Sequence, residues 1–159
     1  MATFAVGGQI TAVSSSYQGA AATWSGATTR RHKWYEFVLG ATANPNATDT
    51  YLQIDIARLT GTTSLAGTAF TPSPTDPADQ AAVVAAAIKL TTEVNSAIIT
   101  TANLGLFNTG INQRATTRWI AAQESQMLIA PATAQNGLEL RAQSSTYNST
   151  MQAQISFLE

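Results

Sequence analysis

The feature that most constrains this chain is a strict alternation of apolar and polar residues that recurs along it. Leu138-Glu139-Leu140-Arg141-Ala142 alternates, as does Met151-Gln152-Ala153-Gln154-Ile155-Ser156-Phe157. Tyr51 to Leu59 does the same, with Leu52, Ile54 and Ile56 on one side and Gln53, Asp55 and Ala57 on the other. A strand turns successive side chains to opposite faces, so each run buries one face and wets the other. That is the pattern of antiparallel sheet with one solvated side.

Other segments fit the same plan. Phe4, Val6, Ile10 and Val13 mark an opening strand with a bulge or bend at Gly7-Gly8. Trp34-Tyr35-Glu36-Phe37-Val38-Leu39 is an aromatic strand closed by Gly40, and Ala43-Asn44-Pro45-Asn46 is a loop. Residues 90–107 have strand character through Val94, Ile98, Ile99, Leu104, Leu106 and Phe107. Asn136-Gly137 is a turn before a strand.

Asp76 can serve as N-cap with Pro77 as first helical residue. Strong helix formers over Ala81–Lys89 then predict one short helix near 77–89, with an extended arm as the competing reading. Residues 14–29 are small and polar apart from Tyr17 and Trp24, which predicts an exposed loop anchored by its aromatics. The expectation is a mainly β single domain over 1–159, an antiparallel β-sandwich, with a jelly roll as one form of it, plus extended loops. The loop at 14–29 and the Pro/Ala-rich stretch at 68–88 are the expected contact segments.

Composition narrows the function classes. Lys and Arg total 8, Asp and Glu 9, and the formal charge is −1. Nucleic-acid affinity rests on clustered cations, so no nucleic-acid partner is expected. No apolar run reaches the ~20 residues that cross a bilayer, and no secretion signal is evident, so no membrane association is expected. Cysteine is absent, which excludes disulfides and thiolate chemistry. Ala (29) and Thr (24) make up a third of the chain, a composition suited to close strand packing and to surfaces that meet other proteins.

The candidates for chemistry are few. His32 is the single histidine and sits in Arg30-Arg31-His32-Lys33, where a solvated imidazole with a cation-depressed pKa is expected. No Gly-x-Ser-x-Gly elbow supplies a nucleophile for it. A hydrolytic carboxylate pair would draw on Glu36, Asp55, Glu93, Glu124 and Glu139, each in an outward slot or turn where carboxylates are ordinarily solvated. Asp49, Asp76 and Asp79 lack the alternation of a calcium loop. The expectation is no catalytic residue, no metal, no cofactor and no small-molecule substrate.

What remains is contact chemistry. Trp24, Arg30, Arg31, Arg114, Arg118 and Trp119 are the candidate interface residues. The arginines are suited to bidentate carboxylate contacts, with Arg114 and Arg118 expected on one strand face. Trp24, Trp34 and Trp119, with Tyr17, Tyr35, Tyr51 and Tyr147, are the aromatics from which a sugar-stacking platform could be built, the competing and favoured reading being that they fill the core or anchor a subunit interface.

Asn112-Gln113-Arg114-Ala115-Thr116-Thr117-Arg118-Trp119-Ile120-Ala121-Ala122, then Leu128-Ile129-Ala130-Pro131-Ala132-Thr133-Ala134 and Asn136-Gly137-Leu138-Glu139-Leu140-Arg141, resembles small virion proteins of tailed bacteriophages. Pro72-Ser73-Pro74-Thr75-Asp76-Pro77-Ala78-Asp79 is similar to a Pro-rich segment of such proteins. Within that group the chain is most similar to capsid decoration (cement) proteins. The resemblance implies a non-enzymatic virion structural protein, a homotrimer that binds the major capsid protein on the capsid surface, assembled in the host cytoplasm. The alternative is a receptor- or carbohydrate-binding β-module of a tail fibre or baseplate.

Overall fold

In a computed structural model the described residues form eleven strands, all paired antiparallel, in two sheets. The structure describes residues 1–10, 17–25, 31–42, 44–59, 66–92, 105–147 and 150–159. The strands are β1 (Thr3–Ile10), β2 (Gln18–Trp24), β3 (Lys33–Ala41), β4 (Tyr51–Leu59), β5 (Ala66–Phe70) and β6 (Ala85–Thr92). They continue with β7 (Gly105–Asn112), β8 (Thr116–Ile120), β9 (Leu128–Ile129), β10 (Gly137–Gln143) and β11 (Met151–Leu158).

Sheet one has the order β1-β11-β3-β8, with β9 also paired to β3. Sheet two has the order β5-β6-β2-β10-β4-β7. Without the β5–β6 pair and the short β9, eight strands remain. Counted along the chain, they lie first-eighth-third-sixth in one sheet and second-seventh-fourth-fifth in the other. That order is a jelly roll, two Greek keys folded face to face. β5 and β6 extend the second sheet beyond β2.

One buried cluster draws on both sheets. Phe4, Val6, Phe37, Leu39, Ile155 and Phe157 come from sheet one, and Leu52, Ile54, Ile56, Leu138 and Leu140 from sheet two. The inward residues of the three alternating runs are those the alternation marks.

Two irregularities put side chains where simple alternation would not. The β3–β11 register shifts so that Ser156 faces Glu36 while Phe157 faces Trp34, which leaves Tyr35 as the extra residue of a bulge. Trp34 and Phe37 therefore both enter the core. The second is at Gly8, where an added Cβ would lie 2.4 Å from the Ala20 carbonyl oxygen and 2.7 Å from Ala21 Cβ. β1 runs unbroken in register past Gly7-Gly8, so the expected bulge is absent. The glycine is there because the two sheets nearly touch.

The helix expected near 77–89 does not form. Asp76 makes N-cap-like bonds, with Ala78 N donating to its Oδ1 at 2.9 Å and Asp79 N to its carbonyl at 3.0 Å, but the result is a single turn. Ala85 to Ile88 then pair with Trp24 to Ala21 of β2. The helix preference of alanine is only tenths of a kcal/mol per residue over ordinary residues, and a sheet ladder outweighs it.

The loop expected at 14–29 is corrected in the same way. Residues 18–24 are β2, an interior strand whose Ala20, Ala21 and Ala22 are fully buried. The expected strand character at 93–104 lies outside the described residues.

Candidate functional site

In a jelly roll every second connection reaches the same end of the sandwich. Here the β3–β4, β7–β8 and β10–β11 connections meet there, laced by hydrogen bonds. Gln113, only 1% exposed, organises them. Its side-chain Nε2 donates to the carbonyls of Asn46 (3.2 Å) and Thr48 (2.9 Å), and Asn46 N donates back to its Oε1 at 3.0 Å. Asn46 Nδ2 donates to the Thr146 carbonyl at 2.8 Å, and Ser144 Oγ to the Tyr51 carbonyl at 2.8 Å.

These loops frame an open depression of about 1120 Å³ beside Tyr51, Gly110, Ile111 and Asn112. Arg114 Nε donates to Asp49 Oδ1 at 2.8 Å on its rim. That hydrogen bond, with the charge behind it, holds the Asp49 carboxyl below its ordinary range. Tyr51 is 62% exposed, an unusual state for a tyrosine that begins an interior strand.

The second surface is the outer face of sheet one. Its register sets out three cross-strand rows from β1 to β8: Gln9-Gln152-Gly40-Thr116, Gly7-Gln154-Val38-Arg118 and Ala5-Ser156-Glu36-Ile120. The side chains are short or neutral except Arg118 and Glu36. Those two pair with each other at 2.6 Å.

The candidate residues from sequence divide as follows. Arg118 and Ile120 are exposed on this face, while Trp119 points inward and stacks on Phe37 at 5.6 Å. Arg114 lies in the turn before β8, so it does not share a strand face with Arg118. Trp24 is half-buried at the end of β2, Arg31 is exposed, and Arg30 lies outside the described residues. Trp34 is buried, which removes it from any sugar-stacking platform.

His32 is also buried, not solvated, and burial rather than neighbouring cations lowers its pKa to about 4. Its Nε2 is 2.7 Å from Thr23 Oγ1. Asp55 and Glu139 depart from the solvated slots expected for them, at 4% and 0% exposure. They lie on β4 and β10, interior strands of sheet two. Asp55 is engaged by Arg141 at 2.6 Å, and the Arg141 guanidinium rests over the Tyr17 ring, 4.4 Å from its centroid. Lys33 pairs with Glu124 and holds that carboxyl below its ordinary range, while Glu93 lies outside the described residues. Among the described residues no three acidic, His or Cys side chains are grouped to hold a metal ion.

Of the aromatics named from the sequence as a possible sugar-stacking platform, Tyr51 alone lines the depression, and the outer face of sheet one was not legible as a site. Alternation puts Tyr51 on the polar side of β4 with Gln53 and Asp55, where a large aromatic ring has no core to fill. Comparison with family models, curated proteins and solved structures gives no match to this chain.

Proposed function

We propose that this chain is a non-enzymatic structural protein of a tailed-phage virion, which oligomerises and binds the outside of the capsid shell to stabilise it. The observation that carries this reading is the outer face of sheet one, whose three cross-strand rows from β1 to β8 hold short or neutral side chains apart from Arg118 and Glu36. Short and neutral side chains lose little rotamer entropy when a partner covers them. The charged side chains that β3 and β8 put on the face are already paired, Arg118 with Glu36 and Lys33 with Glu124, so docking against an uncharged protein surface strands none of them.

Size decides how such a face works. Four strands ~4.8 Å apart and roughly eight residues of ~3.3 Å give an area on the order of 500 Å². A stable interface takes roughly 800 Å² per partner. One protomer alone therefore binds weakly, and an oligomer that engages several capsid subunits at once gains affinity through effective concentration. A repeating protein shell is the partner that offers such repeated sites. Binding only the assembled shell stabilises it by mass action against rupture.

The test is head stability. Heads lacking the protein should release DNA at a lower temperature than decorated heads, and adding back the wild-type chain should restore them. Gln154→Arg, a charge placed in the middle of the face, should restore nothing while folding normally. Equal protection by that variant would remove the face from the mechanism.

A further inference from the structure

We propose that the depression framed by the β3–β4, β7–β8 and β10–β11 connections is a saccharide-binding site for a neutral sugar unit of a glycan. This inference does not depend on the capsid reading, since it uses a different surface.

The chemistry of the depression selects the ligand. Sites for small polar ligands are concave and mostly apolar, with a few placed polar groups, and this depression has that composition. Tyr51 presents an exposed ring, and an aromatic face suits the C–H face of a pyranose. The ring stands on a fixed base, because Ser144 Oγ donates to the Tyr51 carbonyl and Gln113 N to the Thr50 carbonyl at 3.0 Å. Gly110, two residues before Asn112 on β7, leaves open space beside the ring, and a Cβ added there would meet nothing within 4 Å. Asn112, Thr48 and Thr146 border the depression with hydroxyl and amide groups that match sugar hydroxyls.

Charge argues for a neutral ligand. The ionic groups at the rim, Asp49 and Arg114, are bonded to each other. A phosphate or carboxylate ligand would have to break that pair to gain a cation. The site also continues along sheet two. Gln53 pairs with Gly110, Gln143 Nε2 donates to Gln53 Oε1 at 2.7 Å, and Gln53 Nε2 to Asn108 Oδ1 at 3.4 Å. That ladder of amides offers hydrogen bonds to a second sugar unit.

The full-length chain, labelled with nitrogen-15, is titrated with glucose, galactose, mannose, N-acetylglucosamine and their short oligomers, with inorganic phosphate as the charged comparison. The expected result is saturable amide shifts at Tyr51, Gly110, Asn112 and Thr146 with at least one sugar, at a Kd of about 1 mM or tighter. Tyr51→Ala should weaken binding at least about tenfold, and Gly110→Leu should do the same by filling the space. Both variants should keep the wild-type thermal midpoint and bind heads as the wild type does, which separates this inference from the capsid reading. The proposal is overturned if no sugar shifts these amides up to ~50 mM. It is equally overturned if phosphate alone binds, or if sugar binding survives both substitutions.

Discussion

The Thr23 hydroxyl on β2 accepts the indole N–H of Trp34 on β3 at 2.8 Å, joining the two sheets inside an apolar core. The same oxygen lies 2.7 Å from His32 Nε2, so one small side chain satisfies two buried groups. Thr23→Val keeps the shape and removes the hydroxyl, leaving both groups without it. The expected loss is about 3 kcal/mol, because an orphaned buried polar group costs its desolvation. Thr23→Ser keeps the oxygen and should lose no more than about 1 kcal/mol. Urea denaturation measures both, and a Thr23→Val protein as stable as wild type would contradict this role.

Stability should fall with acid through His32. Its pKa is lowered from 6.5 to about 4 in the folded chain. As pH drops below 6.5 the unfolded chain takes up a proton that the folded chain refuses until about 4. Folding stability is therefore fully present above about pH 7 and declines between 6.5 and 4, by about 3 kcal/mol in all. Asp49 and Glu124, whose carboxyls are depressed by Arg114 and Lys33, contribute less, and theirs is lost only as pH falls below the ordinary values of 3.8 and 4.5, at the acid end of that window and beyond it. In His32→Gln the decline between 6.5 and 4 should vanish, as followed by thermal melts across pH.

Gly137 is fixed by approach, not by dihedral freedom. An added Cβ would lie 1.8 Å from the Thr23 carbonyl oxygen and 2.7 Å from Trp24 Cα, and neither backbone atom can move aside cheaply. Gly137→Ala should cost about 3 kcal/mol or more and disturb the β2–β10 ladder. Gly7→Ala is the control, since its Cβ meets nothing within 4 Å, and should stay within about 0.5 kcal/mol of wild type.

Asp55 and Arg141 form a pair with side chains only 5% and 15% exposed. Asp55→Asn leaves a poorly hydrated guanidinium and should cost about 3 kcal/mol. The double variant Asp55→Asn with Arg141→Gln should lose less than the sum of the single losses, by at least about 1 kcal/mol. Arg118→Ala, which breaks an exposed pair, should change stability by no more than about 0.5 kcal/mol. Additive losses in the double variant would show that the pair is not coupled.

The long alternating runs made β4, β10 and β11 legible, and their inward residues are the observed core, because a period of two marks the face that packs on the other sheet; it did not reveal that Asp55 and Glu139, on the opposite sides of β4 and β10, are buried as well. β2 and β6 were hidden for a shared reason. Where two sheets nearly touch, only small side chains fit, and an Ala-rich strand then reads as loop or helix. Trp34 entered the core through a bulge that depends on its partner strand, which no local pattern reveals. The Asn136-Gly137 turn was legible as a turn, yet its left-handed residue is Gln135, at φ 64°. His32 misled because its ring turns inward against Thr23 and Phe157, where burial sets its pKa. The depression at Tyr51 is assembled from three connections far apart in the chain, so the sequence offered Tyr51 only as one of seven aromatics for a sugar platform and gave no sign of the groups around it.

The most direct test of the decoration reading is the number of copies per virion, counted by quantitative mass spectrometry on purified particles and checked by co-sedimentation of the chain with empty heads. The expected result is a stoichiometry in proportion to the major capsid protein, with co-sedimentation lost in Gln154→Arg. A count that matches a tail or baseplate component instead, together with a chain that stays in the supernatant, would contradict it.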